Sequence, residues 1–129
     1  MMITILISSE SKYPISLSTI KKELSTFIMG HGISVPTEVS VSIVSEKTAL
    51  EVSNSTLKDN AIHDVLSFPE SELKGKFVNP PDIPNQLGEI IVCFEMAEEE
   101  AKEEGMSVER KIIELVNHGA LHLMGFHHE

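Results

Sequence analysis

The sequence of 129 residues is poor in cysteine, aromatic residues and arginine. Its one cysteine, Cys93, excludes a disulfide framework and a cysteine-rich zinc module, and it is typical of a reducing compartment. A long hydrophobic run is also lacking, because the early apolar stretch, residues 1–7, is interrupted by Thr4 and has no basic residues before it. That stretch is too short for the core of a signal peptide or for a membrane span. We therefore expect a cytoplasmic protein without a membrane segment.

Positive charge is scarce as well. Ten basic residues face twenty acidic ones, which gives a formal net charge of −10, and Arg110 is the one arginine. This balance has the wrong sign for broad nucleic-acid binding, because such binding draws most of its affinity from neutralised phosphates. A role on RNA or DNA would need a local basic patch, a metal ion or a docking partner. The glutamate-rich run from Glu95 to Glu104 is interpreted as the solvated face of a helix.

The hydrophobic patterning predicts an α+β fold, in which one small domain over residues 1–129 has helices packed on a mixed sheet. Residues 69–87 contain four of the six prolines and predict a long irregular loop, which in a compact domain is usually functional or mobile. The predicted order is βαβαββαα, with strands over residues 2–8, 39–43, 64–68 and 88–93 and helices after Ser16 or Ser18, over residues 45–56, up to Gly105, and from Ser107 to a stop at Gly125.

Four of the six histidines lie within the last twelve residues, at His118, His122, His127 and His128. His118 and His122 are four residues apart, so a helix would place both imidazoles on one face with about 6 Å of rise between them. Gly125 lets the chain turn back after that helix, and the spacing favours His128 as a third ligand. Three imidazoles with one open coordination position are typical of a catalytic zinc site. The sequence thus predicts a metal-binding C-terminal helix.

Gly119 follows the first of these histidines. In the H-E-x-x-H zinc peptidases that position is a glutamate, which acts as the general base. A peptidase mechanism of that kind therefore has no base at the expected place. Glycine there allows close packing of the helix or close approach of a substrate.

Three blocks of the sequence resemble the YbeY family, the bacterial single-strand-specific metallo-endoribonucleases linked to ribosomal RNA maturation. Residues 118–128 match the family signature H-G-x-L-H-L-x-G-x-D-H at all but one defined position. Residues 64–69, DVLSFP, resemble the family's T-D-V-L-S-F-P strand, and residues 87–93, LGEIIVC, resemble its L-G-D-I-x-I-C strand. The blocks occur in the family's order and spacing, so the resemblance spans most of the chain.

The resemblance implies one Zn²⁺ ion per chain, held by His118, His122 and His128. It also implies endoribonuclease activity in ribosomal RNA maturation, at the 3′ end of 16S rRNA, and in ribosome quality control. The partners expected on this basis are single-stranded rRNA and the small ribosomal subunit, without DNA or a membrane. Either water or the 2′-hydroxyl of the RNA itself could be the nucleophile.

Two departures from the family pattern concern candidate catalytic residues. The aspartate before the last histidine is His127 here, which could act as an acid or base, could cap the helix end, or could compete with His128 as the third metal ligand. The family's arginine upstream of the second block corresponds to Leu57 without a gap, or to Lys58 after a one-residue deletion. Lys58 is then the candidate for phosphate binding, as a point charge without arginine's bidentate fork, and a solvated lysine is the alternative. Asp64 and Glu89 flank the predicted strands and could orient the ligand histidines.

Two other functions remain compatible with the sequence. A metal-dependent hydrolase of a peptide or an ester would account for the zinc site and the acidic composition together. A non-catalytic ribosome assembly factor, whose metal fixes the C-terminal fold, would account for the departures at Lys58 and His127.

Overall fold

The computed structural model describes residues 3–33, 35–70 and 85–125. The described part is an α+β fold in which helices pack on a mixed four-stranded sheet, and it confirms the predicted class and order of elements. In chain order the elements are β1 (Ile3–Ser9), α1 (Leu17–Met29), β2 (Thr37–Val44), α2 (Glu46–Val52), a π-helical turn (Ser53–Leu57), β3 (Val65–Pro69), β4 (Asn85–Cys93), α3 (Phe94–Glu104) and α4 (Val108–Leu123).

The strands lie in the order β1-β2-β4-β3. The first two pairings, β1 with β2 and β2 with β4, are parallel, whereas β3 pairs antiparallel with β4. The strand that comes last in the chain is therefore central in the sheet. Within the described residues, β1 and β3 form its two edges.

Serine side chains begin three of the helices. The hydroxyls of Ser16, Ser45 and Ser107 each accept a hydrogen bond from the backbone N–H three residues later, at 3.1–3.3 Å. A serine in this position satisfies a backbone donor that has no partner inside the helix. The predicted caps at Ser16 and Ser107 are thereby confirmed. Helix α3 ends at Gly105, which takes the left-handed conformation, as its position in the sequence predicts.

The largest differences between predicted and observed boundaries fall between residues 45 and 87, whereas β1, β2 and β3 differ from their predicted ranges by one or two residues at each end. The helix predicted over residues 45–56 is α-helical only to Val52 and then widens into the π-helical turn, which Lys58 ends in the left-handed conformation. The loop predicted over residues 69–87 is shorter at both ends, because Pro69 belongs to β3 and β4 begins at Asn85. Residues 71–84 of that loop lie outside the described residues. No helix of the described chain is long and apolar enough to cross a bilayer.

The second half of β4, residues 90–93, is buried on both faces of the sheet. Helices α1 and α4 cover one face, and their apolar stripes pack with alternate residues of β4, Ile90 and Val92. A smaller cluster on the other face joins Ile91 and Cys93 to α2 through Ala49. Burial on both sides explains why residues 90–93 are all apolar in sequence. Cys93 is 1% exposed, which confirms it as a small buried hydrophobe, and burial raises the pKa of its thiol.

Two glycines allow α4 to lie directly on the sheet. A Cβ atom added at Gly119 would lie 3.1 Å from Cγ2 of Ile90, so the missing side chain lets the helix approach β4 closely. At Gly88, φ is +146°, and an added Cβ would collide with the carbonyl oxygen of Phe68 and with the side chain of Leu123. Both contacts fix where the second half of α4 sits relative to β3 and β4.

Candidate active site

A cleft of about 470 Å³ runs between the start of β3 and one face of α4. Its lining combines ionisable and polar side chains with a few apolar ones, unlike the dry core on the other side of the same helix. The lining residues are Asp64, Val65, Ser67, Lys111, Glu114, Leu115, His118, Gly119 and His122. The cleft thus contains two of the predicted metal ligands and the aspartate of the second sequence block.

The first two predicted ligands lie together on the cleft wall. His118 is exposed and His122 is half-buried on α4, one helical turn apart. Their ring centroids are 4.5 Å apart and the ring planes are inclined by 57°. Gly119, between them in sequence, faces Ile90 and therefore turns the neighbouring histidines away from the core. The four-residue spacing has the geometric consequence that the sequence predicts, namely two imidazoles at one place.

The donor set fits a zinc site in part. Neutral imidazole nitrogens are common zinc ligands, and two of them at this separation can approach one ion. No group of three histidine, cysteine, aspartate or glutamate side chains within the described residues is arranged to hold a metal ion. A third ligand would therefore come from outside the described residues. His127 and His128 lie outside the described residues, so the choice of His128 stays a prediction.

The sequence analysis missed Lys111, which lies on the same face of α4 as the histidines. It is 8% exposed, and its Nζ donates to both oxygens of Glu104 at 2.9 and 3.1 Å. Glu114 and Glu100 lie 3.4 and 3.6 Å from the same nitrogen. The hydrogen bonds that Lys111 donates to Glu104 contribute most to raising the pKa of the ammonium group, and Glu114 adds to the rise, while burial opposes it. Lys111 stands seven residues before His118, and that helical spacing is the signal that could have placed it at the cleft.

Glu100 departs most from the behaviour expected of an acidic surface helix. Its pKa is raised to about 7, first by burial and then by a hydrogen bond and charge repulsion from Asp64, while Lys111 opposes the rise. One residue of the predicted solvated face of α3 thus points toward α4. Near neutral pH, Glu100 carries a proton in a substantial share of molecules, next to a carboxylate that lines the cleft.

The structure places two further candidate residues, Lys58 and Glu89, outside the cleft lining. Lys58 is exposed at the end of the π-helical turn and is not among the residues that line the cleft. Near it, Asp59 pairs with His63 at 3.1 Å. Glu89 lies on the opposite face of β4 from Ile90, where it lines a groove with Leu6 and Ser40. Of the two carboxylates proposed to orient ligand histidines, only Asp64 reaches the cleft.

The chemistry available in the cleft follows from these groups. Two imidazoles can bind a metal ion or serve as proton donor and acceptor. A buried ammonium group, Lys111, lies among three carboxylates, and Asp64 lines the same cleft, so this part of the wall is negative overall and favours a cation. A phosphate group could approach such a wall only with a bound cation or at a place remote from the carboxylates.

Comparisons with known proteins agree with the three sequence blocks. The family model described as endoribonuclease YbeY matches residues 6–129. An endoribonuclease YbeY of Roseiflexus sp. (strain RS-1) is 38% identical over 97 residues, which are 75% of this chain and 61% of that protein. One from Macrococcus caseolyticus is 39% identical over 97 residues, with 75% of this chain and 62% of that protein covered.

Among solved structures, a solution structure of a Thermotoga maritima protein matches with a TM-score of 0.62 and 32% identity, over 99% of this chain and 75% of that one. The chain spans about three fifths of the length of the curated relatives that it matches. Since the family model covers nearly all of the chain, the chain belongs to the endoribonuclease YbeY family.

Proposed function

We propose that this protein is a zinc-dependent endoribonuclease that cleaves single-stranded RNA. Its place of action would be ribosomal RNA maturation in the cytoplasm, at the 3′ end of 16S rRNA, and ribosome quality control. The observation that carries the proposal is the pair of adjacent imidazoles, His118 and His122, on the wall of the cleft. Membership of the endoribonuclease YbeY family supports RNA as the substrate.

In this proposal the candidate residues divide the work as follows. His118 and His122 hold one zinc ion, and His128 completes the set. When bound, zinc supplies Lewis-acid chemistry that polarises a phosphodiester and favours attack by water or by the 2′-hydroxyl of the RNA. Lys111 holds Glu104 and Glu114 in place on the cleft wall. In this proposal His127 acts as an acid or base and Lys58 contacts a phosphate from outside the described cleft.

Glu100 is placed to hold a proton beside Asp64, which lines the cleft. Burial and the neighbouring Asp64 side chain raise the pKa of Glu100 to about 7, so this carboxyl group is protonated in part of the molecules near neutral pH. A proton held there can be given to or taken from a group entering the cleft. This role requires only side chains in their present positions, without movement of α4.

The net charge of −10 limits how tightly the protein can bind RNA by itself. A protein of this charge binds free RNA weakly, because few of its groups can neutralise phosphates. We infer that docking on the small ribosomal subunit supplies the binding energy that the surface lacks. Cleavage of short isolated RNA is then slow, and its rate falls steeply as salt concentration rises. Fast cleavage that is insensitive to salt would contradict this part of the proposal.

The experiment measures zinc content and RNA cleavage on the same preparations. Wild-type protein is compared with His122→Ala and with His31→Ala, a control at an exposed histidine at the end of α1. Purified wild type should contain about one zinc ion per chain and should cleave a single-stranded RNA but not its duplex. His122→Ala should lose the metal and more than about a hundredfold in cleavage rate, beyond the loss typical of a residue that only orients a ligand. Circular dichroism checks that both variants remain folded.

Three outcomes would contradict the proposal. RNA cleavage that persists at the same rate in zinc-free protein would remove the metal from the mechanism. Chelator-sensitive cleavage of a general peptide substrate, without cleavage of RNA, would favour a hydrolase of another substrate class. The third outcome would favour an assembly factor with a structural metal. In that case, removal of zinc lowers thermal stability, and the zinc-loaded protein cleaves neither substrate, whether it is free or bound to small ribosomal subunits.

A further inference from the structure

The edge strand β1 lacks the features that usually protect the edge of a sheet. Its seven residues, ITILISS, carry no charge and no proline. All seven pair with β2 in one unbroken register, so no bulge twists the strand away. Leu6 is 51% exposed in the middle of it. Natural edge strands are commonly blunted by a lysine, a proline or a bulge, since an unprotected edge invites another strand to pair.

A groove of about 310 Å³ lies between this strand and α1. Its lining contains two lysines and four hydroxyl side chains above apolar residues of β1. The lining residues are Ile3, Thr4, Ile5, Ser18, Lys21, Lys22, Ser25 and Thr26. None of them is acidic, although the chain has twice as many acidic as basic residues. The groove is therefore a local positive site on a negative protein.

A second groove, of about 440 Å³, follows the same strand on the other face of the sheet. It is lined by residues of β1 and β2, including Leu6, Ser8 and Ser40, together with one acidic residue, Glu89. Lys21 lines both grooves, which places this side chain beside the strand edge itself. Side chains of an added strand would point alternately into the two grooves, because successive residues of a strand face opposite sides.

We propose that the β1 edge and its two grooves bind an extended acidic peptide segment of a partner protein. The segment pairs with β1 through its backbone as a fifth strand, and its carboxylates meet Lys21 and Lys22. This site lies at the opposite edge of the sheet from the cleft, and it does not depend on the cleavage activity.

Two other occupants fit the groove less well. A second copy of this chain, pairing edge to edge about a two-fold axis, would bring Lys21 and Lys22 of both copies together and oppose two chains that each carry a net charge of −10. Single-stranded RNA usually stacks its bases on aromatic side chains, and none of the described residues that line either groove is aromatic. An acidic peptide uses both the backbone edge and the lysines.

The experiment titrates ¹⁵N-labelled full-length protein with a capped heptapeptide of alternating glutamate and valine, matched in length to β1. Amide shifts should concentrate at Ile3–Ser9, and exchange of these amides with solvent should slow. The same peptide with lysine in place of glutamate should bind about tenfold more weakly or not at all. A version with every backbone amide N-methylated should also lose binding, because neither of its edges can then donate hydrogen bonds to β1.

Matched variants then test the lysines. Lys21→Glu combined with Lys22→Glu should weaken binding of the acidic peptide by about tenfold, whereas Lys102→Glu, at an exposed lysine of α3, should change it less than twofold. The proposal would be overturned if the double variant at Lys21 and Lys22 bound the acidic peptide as tightly as Lys102→Glu does. It would also be overturned if the amide chemical shifts changed outside β1 and α1, or if no binding occurred at millimolar peptide. Concentration-dependent protection of β1 without peptide would assign the edge to a second copy. Displacement of the peptide by oligouridylate, with shifts at the same amides, would assign it to RNA.

Discussion

The two edges of the sheet differ in the side chains that surround them. At the β3 edge, α4 lies over the strand and brings two imidazoles, a buried ammonium group and several carboxylates to one cleft. At the β1 edge, no charged side chain belongs to the strand, and its neighbouring grooves are lined by lysines and hydroxyls. Covering an edge with a helix that carries ionisable residues creates a place for chemistry. Leaving an edge regular and uncharged creates a place for another strand.

The difference also appears in the tightness of packing. On the β3 side, Gly88 and Gly119 have neighbouring atoms where a side chain would begin. On the β1 side, a leucine in the middle of the strand stays half in solvent. The cleft side therefore tolerates little change in volume, whereas the β1 side should tolerate much more.

The largest effect is expected at Gly88. Gly88→Ala places a Cβ atom against the Phe68 carbonyl, at a φ of +146° that strains any L-residue, so the free energy of unfolding should fall by about 3 kcal/mol or more. Urea unfolding monitored by circular dichroism measures this. Gly105→Ala is the control, because its φ is +69° but no atom lies within 4 Å, and it should cost about 1 kcal/mol. Equal losses at both positions would show that the β3 edge is not tightly packed.

The next effect concerns the charge cluster of the cleft wall. Lys111→Met keeps most of the side-chain volume but leaves Glu100, Glu104 and Glu114 without their shared cation. At pH 7 this should lower the free energy of unfolding by about 2 kcal/mol, less than for a fully buried pair because two of the glutamates are half exposed. The loss should shrink at pH 5, where carboxylates gain protons.

Denaturant melts at both pH values measure the loss at Lys111. The matched variant Lys102→Met, at an exposed lysine of α3, should change stability by less than about 0.5 kcal/mol at either pH. If the charge cluster around Lys111 contributed only to solubility, Lys111→Met would change the free energy of unfolding as little as Lys102→Met does.

The pH dependence of stability should carry the signature of Glu100. Its folded pKa of about 7 lies above the ordinary value of 4.5, so between those pH values the folded state binds more protons than the unfolded state. The contribution is complete below pH 4.5 and is lost as pH rises through 7, with a size on the order of 1–2 kcal/mol.

Glu100→Gln should remove this falling component from a plot of unfolding free energy against pH. Glu103→Gln, at an exposed position of the same helix, should leave the plot parallel to that of the wild type. A Glu100 variant that keeps the full slope between pH 5 and pH 7 would show that the carboxyl group is solvated in the folded protein.

The smallest effect is expected on the open edge. Leu6→Ser should change the free energy of unfolding by less than about 0.5 kcal/mol, because Leu6 is 51% exposed. Its sequence neighbour Ile5 is 2% exposed, so Ile5→Ala should cost about 3 kcal/mol. Thermal and urea melts of the two variants would measure the contrast. A large loss at Leu6 would mean that the edge is already covered in solution.

The parts of the fold that depend on nearby residues could be predicted from the sequence. Alternation in β1 and β2, the serine caps and the left-handed Gly105 are signals carried within a few residues, and they gave the order of the elements. The start of β4 was predicted three residues too late, because Asn85 is held by pairing with Thr37, far away in sequence. Register between distant strands has no local signal.

The same distinction holds at the candidate site. His118 and His122 could be predicted as neighbours because helical spacing alone brings them together. Lys111 and Glu100 could not, because a lysine and a glutamate are expected in solvent until the packing of α3 on α4 is known. Lys58 was chosen by alignment to a family position, and the described cleft does not include it.

The strand order has a consequence for synthesis of the chain. The central strand β4 ends at Cys93, about fifty residues after β2 ends at Val44. Among the described strands, β1 and β2 alone can pair before β4 is made, and the apolar side chains that later meet β4 lack their partners until then. During synthesis, an incomplete sheet with exposed apolar side chains therefore persists outside the exit tunnel for several seconds at ordinary translation speeds of about 5–20 residues per second.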